Sequence, residues 1–148
     1  MKNILVTLIL FNLTSSSYAQ MSDTIISDIE TAYGKYFSDF ISRDFSEIAS
    51  NFHVPAMLGV RSENYTVAKT LTAVEDFYKN APLQESYAYS TLESIEIQRL
   101  TADVYYVETE FTRLGLTGDV LFSGEATYLY TMDSGEWKIF ATMGAREK

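Results

Sequence analysis

Residues 23–55 repeat apolar side chains with the period of a helix, and the rest of the chain must cover the stripe this creates. Ile25, Ile26, Ile29, Tyr33, Tyr36, Phe37, Phe40 and Ile41 fall on one broad face, while Asp28, Lys35, Ser38 and Asp39 fall on the other. Asp44, with Glu47 three residues later, has the form of a capping box in which Asp supplies the cap. A second, short helix is therefore expected to run from there to about Phe52. His53 then sits just past its end, and Phe52-His53-Val54-Pro55 turns toward the remainder of the fold.

The 148 residues suit one domain with a real core and are too few for two ordinary ones. The N-terminus is read separately. Lys2 precedes an apolar run over residues 4–13, and Ser17-Tyr18-Ala19 places small residues where a signal peptidase reads. Residues 1–19 are thus expected to be a secretory signal cleaved after Ala19, leaving residues 20–148 as a single exported domain, periplasmic or secreted. The apolar run is too short to anchor the chain in a bilayer, and no later stretch is long and apolar enough to span one.

No cysteine occurs, which excludes disulfides, thiolate catalysis and zinc–thiolate sites. A single histidine excludes a multi-histidine metal site, so neither metal nor other cofactor is expected. Loss of the leader removes Lys2 from the 11 basic residues, leaving 10 against 20 acidic ones and a net charge of about −10. That balance opposes binding to nucleic acid and to anionic membranes. Asn64-Tyr65-Thr66 matches a glycosylation sequon and reads as a polar loop unless the source is eukaryotic.

Residues 56–67 show neither periodicity and read as a loop or short irregular strand. Thr72 and Glu75 form another capping-box pattern ahead of Val74, Phe77 and Tyr78, with Asn80-Ala81-Pro82 ending a third helix. From Tyr87 the period changes to two. Residues 92–100, 103–114, 119–132 and 136–143 are rich in Tyr, Phe, Val, Ile and Thr and are expected to form four antiparallel strands in a meander. In the second of them Tyr105, Val107, Thr109, Phe111 and Arg113 share the drier face, and Tyr106, Glu108, Glu110 and Thr112 the wetter one. Helices first and strands last imply an α+β domain with helices packed on one face of an antiparallel sheet.

This layout resembles the nuclear transport factor 2-like superfamily, also called SnoaL-like. The resemblance spans the mature chain and rests on the helix pair ending in Phe52-His53-Val54-Pro55, the helix around Phe77-Tyr78, and the hairpin from Tyr128-Leu129-Tyr130 through Gly135-Glu136-Trp137-Lys138-Ile139. It implies a cone in which a strongly curved sheet wraps the first helix and encloses a pocket. The superfamily includes isomerases, dehydratases, hydrolases, cyclases and non-enzymatic association domains, so fold membership leaves the reaction open.

Similarity to ketosteroid isomerase aligns residues 35–52 without a gap and places Tyr36 on that family's oxyanion-donating tyrosine. The same register places Val60 at the position of the catalytic base, and residues 57–61 hold no acid. Ala126 falls near the position of the protonated Asp donor, with Glu125 on the opposite face. One of three required groups is present, which argues against that mechanism. Scytalone dehydratase uses more than one histidine, and limonene epoxide hydrolase needs two aspartates beside an arginine; neither set is found around His53 or Arg113.

Three residues remain as candidate catalytic groups, each with a structural alternative. His53 is either an acid or base or a helix cap. Tyr36 is either a pocket donor or a buried tyrosine with a satisfied hydroxyl. Arg113 either holds an anionic or carbonyl-bearing ligand or forms a salt bridge at the sheet rim. Phe40, Tyr105, Phe111, Tyr128 and Trp137 are the expected wall of a small-molecule site, or else the aromatics that a curved sheet packs against its helix. The leading expectation is a cofactor-independent domain that binds a small apolar molecule, with proton-transfer chemistry if it catalyses. The other is a non-catalytic module that associates through its outer sheet face; a homodimer is expected under either.

Overall fold

The structure is a computed structural model and describes residues 7–61 and 64–148, with side chains from Ser22 onward. The expected signal segment, residues 1–19, lies outside the described residues except for the backbone from Thr7, which belongs to the first helix.

Helix α1 (Thr7–Ser42) lays Ile29, Tyr33 and Tyr36 fully into the interior, with Phe37 and Phe40 half-buried beside them, as the helical stripe requires. It ends where Arg43 takes a left-handed backbone with φ 59°. Asp44 then caps α2 (Phe45–Ser50), its Oδ1 accepting the Glu47 amide at 3.1 Å. Only that half of the expected capping box forms. The Asp44 amide donates to the Asp39 carbonyl, and the Glu47 carboxylate instead accepts from Lys35 at 3.0 Å. Helix α2 also stops two residues short of Phe52, with Asn51 as its C-cap.

Phe52-His53-Val54-Pro55 is not a turn. It opens strand β1 (Phe52–Val60), which pairs antiparallel with β2 (Thr66–Ala68) and parallel with the last strand of the chain. The inward residues Phe52, Ala56 and Leu58 alternate with the outward Pro55 and Met57, a period of two. Pro55 lacks a backbone donor and lies where the pairing register breaks between Phe52 and Met57. Helix α3 (Leu71–Asn80) has its cap two residues before the expected one. Thr70, not Thr72, accepts the Ala73 amide at 3.2 Å and buries Val74 and Tyr78 behind it.

The four expected strands are present: β4 (Val104–Gly115) and β5 (Val120–Asp133) are shifted by one residue, and β3 (Tyr87–Arg99) and β6 (Glu136–Glu147) are longer than expected. The sheet order is β2-β1-β6-β5-β4-β3, so the meander is extended at the β6 edge by the hairpin that the sequence hid. On β4 the expected faces hold: Tyr105, Val107, Thr109 and Phe111 are buried, while Tyr106, Glu108, Glu110 and Thr112 are half-exposed. β5 and β6 are joined through Ser134 and Gly135, both at positive φ as a tight two-residue hairpin requires. No helix among the described residues is long and apolar enough to cross a membrane.

Candidate functional site

Between α1, α3 and the inner face of the sheet lies a cavity of about 680 Å³, within the range of small-molecule sites. Tyr36 and Tyr78 stand at its inner end, 4% and 6% exposed. Arg61, Asn64, Tyr65, Thr66 and Pro82 line it as well and are exposed, which places its mouth between the β1–β2 connection and the segment after α3. Gly59 belongs to this wall. Its φ of +63° bends β1 at a point where a Cβ would stand 3.1 Å from the Phe77 ring, and its amide donates to Thr142 Oγ1 at 3.0 Å.

The inner end is a tyrosine cluster. Tyr36 and Tyr78 hydroxyls are 3.0 Å apart, and the Tyr128 ring meets both Tyr33 and Tyr36 edge-on at 5.4 Å. Burial pushes the Tyr33, Tyr36, Tyr78 and Tyr128 hydroxyls above their ordinary values, so each stays protonated at neutral pH. A hydroxyl pair spends one of its two protons on itself and keeps one O–H as a donor. Tyr36→Phe removes that pair and is expected to cost about 1–3 kcal/mol, because the Tyr78 hydroxyl loses a buried partner. The double change Tyr36→Phe with Tyr78→Phe should then cost less than the two single changes summed, measured by urea denaturation; strict additivity would mean the hydroxyls do not interact.

Arg113 enters the cavity from β4, between Ser90 of β3 and Phe122 of β5. Its guanidinium lies over the rings of Phe111 and Phe122, each at 5.2 Å, and of Phe40 at 5.9 Å. Nη1 donates to Gln84 Oε1 at 3.3 Å, and the buried Nε has no partner. Burial lowers its proton affinity from the ordinary value, yet an arginine remains charged under these conditions. The rim salt bridge is not found: among the described residues Arg113 pairs with no carboxylate. Arg43 and Arg61 also line the cavity. Arg43 stacks on Phe45 at 4.8 Å, and Arg61 donates to the Ala145 carbonyl at 2.8 Å.

The residues expected to form the site are divided by the fold. Tyr36, Arg113, Phe40, Phe111 and Tyr128 line one cavity. Tyr105 and Trp137 pack on each other at 5.2 Å, away from it. His53 stands outside the lining as well. Its Nδ1 lies 2.9 Å from Asp133 Oδ2, held there by the β5–β6 hairpin, and both side chains are more than one-third exposed. That hydrogen bond, with a second from Ser134, draws the Asp133 carboxyl below its usual range. Ala126 lines the cavity where the isomerase comparison located a donor, and Glu125 faces outward to Arg146 at 2.7 Å. Sequence reasoning missed Arg43 and Arg61. Each is a lone charge beside a turn, with no periodicity to mark it.

A helix held against the inner face of a six-stranded sheet, with a cavity between them, defines a cone-shaped α+β domain. The chain belongs to the NTF2-like family DUF6841, whose family model matches residues 27–147. None of the curated proteins matches the sequence. Solved structures of similar fold include a hexachlorocyclohexane dehydrochlorinase, LinA type 2, at 15% identity and a TM-score of 0.65, covering 84% of this chain and 86% of that one. ActVI-ORFA of Streptomyces coelicolor is similar at 10% identity and a TM-score of 0.67, covering 84% and 98%. An NTF2-like protein of unknown function from Shewanella oneidensis is similar at 18% identity and a TM-score of 0.62, covering 80% and 96%. At such identities the likeness is one of fold.

Proposed function

We propose that this protein binds a small, largely apolar molecule in the cone, with the Tyr36–Tyr78 hydroxyl pair donating to an oxygen on it. The observation that carries this reading is the cavity itself: about 680 Å³ remain open between helix and sheet instead of being filled by side chains. A module that served only for association would have no use for that space, and leaving it empty forfeits packing contacts. Proton-transfer catalysis would need a base beside the donors. Among the described residues the lining holds no Asp, Glu or His, and the buried tyrosines stay protonated at neutral pH and so offer no base. Binding without chemistry is therefore the simpler function.

The leader over residues 1–19 makes this an exported domain in the same proposal, and self-association through the outer sheet face accompanies it. The mass of the processed chain and its sedimentation velocity check those two points. The binding claim is tested by thermal shift of residues 20–148 against steroids, terpenoids, polyketide-like aromatics and fatty acids. A ligand at one hundred times its Kd stabilises the fold by about 2.7 kcal/mol and raises Tm visibly. At least one such rise is expected. Unchanged Tm across the panel would contradict the claim.

A further inference from the structure

The charge around the cavity runs against the charge of the protein. The chain carries 20 acidic and 11 basic residues, yet three arginines, Arg43, Arg61 and Arg113, line the cavity and no described lining residue is acidic. Elsewhere Lys35, Lys79, Lys138, Arg146 and Lys148 each contact a carboxylate, and Arg99 donates to the Thr101 carbonyl. Arg113 is the most enclosed of the three and keeps a buried Nε without an acceptor among aromatic rings. A guanidinium taken out of water and left without an anion costs free energy that a partner would return.

Resting on the binding reading above, we infer that the ligand is an organic monoanion, a carboxylic acid on an apolar body, whose carboxylate is held by Arg113. The planar fork of Arg113 offers its two Nη groups to two carboxylate oxygens at once, Nη1 exchanging its 3.3 Å bond to Gln84, while the enclosed Nε leaves part of the guanidinium without a partner. Phe40, Phe111 and Phe122 bound that position, so the head group enters among rings and the apolar body continues along them. Arg43 lines the same cavity and adds a second positive charge to it, while its guanidinium stacks on Phe45. One enclosed guanidinium suits a monoanion. A phosphate dianion would need more donors than this ring-bounded position supplies.

Matched acid and amide pairs test this directly: 1-pyrenebutyrate against 1-pyrenebutyramide by fluorescence, and dodecanoate against dodecanamide by calorimetry. Each acid should bind at least about tenfold tighter than its amide, the ratio expected of one charge-assisted pair. Arg113→Gln should bring the acid-to-amide affinity ratio close to one, and Arg43→Gln should lower that ratio by a smaller factor. Equal affinities for acid and amide would overturn the inference and leave the apolar binding site standing. Failure of all four probes, together with an unchanged Tm across the wider panel, would overturn both. The acid and amide comparison uses the unaltered protein, so it stands even if Arg113→Gln does not fold.

Discussion

Raising the pH above 10 is expected to unfold this protein over a narrow range, in proportion to the number of tyrosine hydroxyls it buries. Burial holds Tyr33, Tyr36, Tyr78, Tyr128 and Tyr130 above their ordinary proton affinity, whereas the unfolded chain releases these protons near pH 10. Above that pH the unfolded state binds fewer protons than the folded one, so unfolding is favoured as pH rises. The stabilisation is complete below pH 10 and is lost progressively above it. Each such tyrosine removes about 1.4 kcal/mol per pH unit, and all five together about 7 kcal/mol per unit once the unfolded chain is fully ionised. Two units of that slope, about 14 kcal/mol, exceed all but the upper end of the ordinary stability range of about 5–15 kcal/mol. Urea denaturation at pH 8, 9, 10 and 11 reads the slope. Tyr130→Phe should make it shallower by about one-fifth, and by removing a buried hydroxyl without a partner it should not weaken the fold at pH 8. A stability independent of pH between 9 and 11 would mean that the cluster is open to water.

Filling the cavity is expected to abolish ligand binding without loss of the fold. Ala126 is 7% exposed and lies on the wall opposite α1, paired with Thr109 of β4. In Ala126→Trp the indole projects into open space instead of packed side chains, so the overpacking cost of about 1–3 kcal/mol seen in filled cores should be largely avoided. The indole would occupy volume that any ligand lying between Tyr36 and Arg113 must use. Affinity for a panel hit should fall at least about a hundredfold, the loss of some 2.7 kcal/mol of binding. Ser90→Trp, from β3 on the other side of β4, approaches the same space from a second direction and guards against a local packing failure at Ala126. Retained affinity in both variants, with native circular dichroism, would place the ligand elsewhere.

Much of the fold was legible because single periodicities dominate long elements. The stripe of α1 commits eight residues to one face and the alternation of β4 commits five, and the structure honours both. β1 was foreseen only as the alternative of a short irregular strand within residues 56–67, although Phe52, Val54, Ala56 and Leu58 alternate with His53, Pro55 and Met57, because Pro55 and Gly59 read as breakers. Its pairing partners are β2, only three residues long, and β6, some eighty residues away, so no local pattern announces them. Thr70 was passed over as the cap of α3 since Thr72 with Glu75 offered the more familiar spacing; the backbone took the earlier threonine.

The site was legible to a lesser degree. Tyr36, Arg113, Phe40, Phe111 and Tyr128 sit on inward faces that periodicity identifies, and the cone brings them together. His53 drew attention as the only imidazole in the chain. Its distance from the cavity follows from the β5–β6 hairpin, which brings Asp133 within 2.9 Å of it. Arg43 and Arg61 contribute to the cavity through the corner after α1 and the end of β1, a convergence that only the closed cone reveals.

The most direct measurement is a crystal structure of residues 20–148 with the tightest ligand from the acid and amide series. The ligand should lie in the cone, with an oxygen near the Tyr36 and Tyr78 hydroxyls or its carboxylate on Arg113. A ligand bound on the outer sheet face, with the cone empty, would contradict the account.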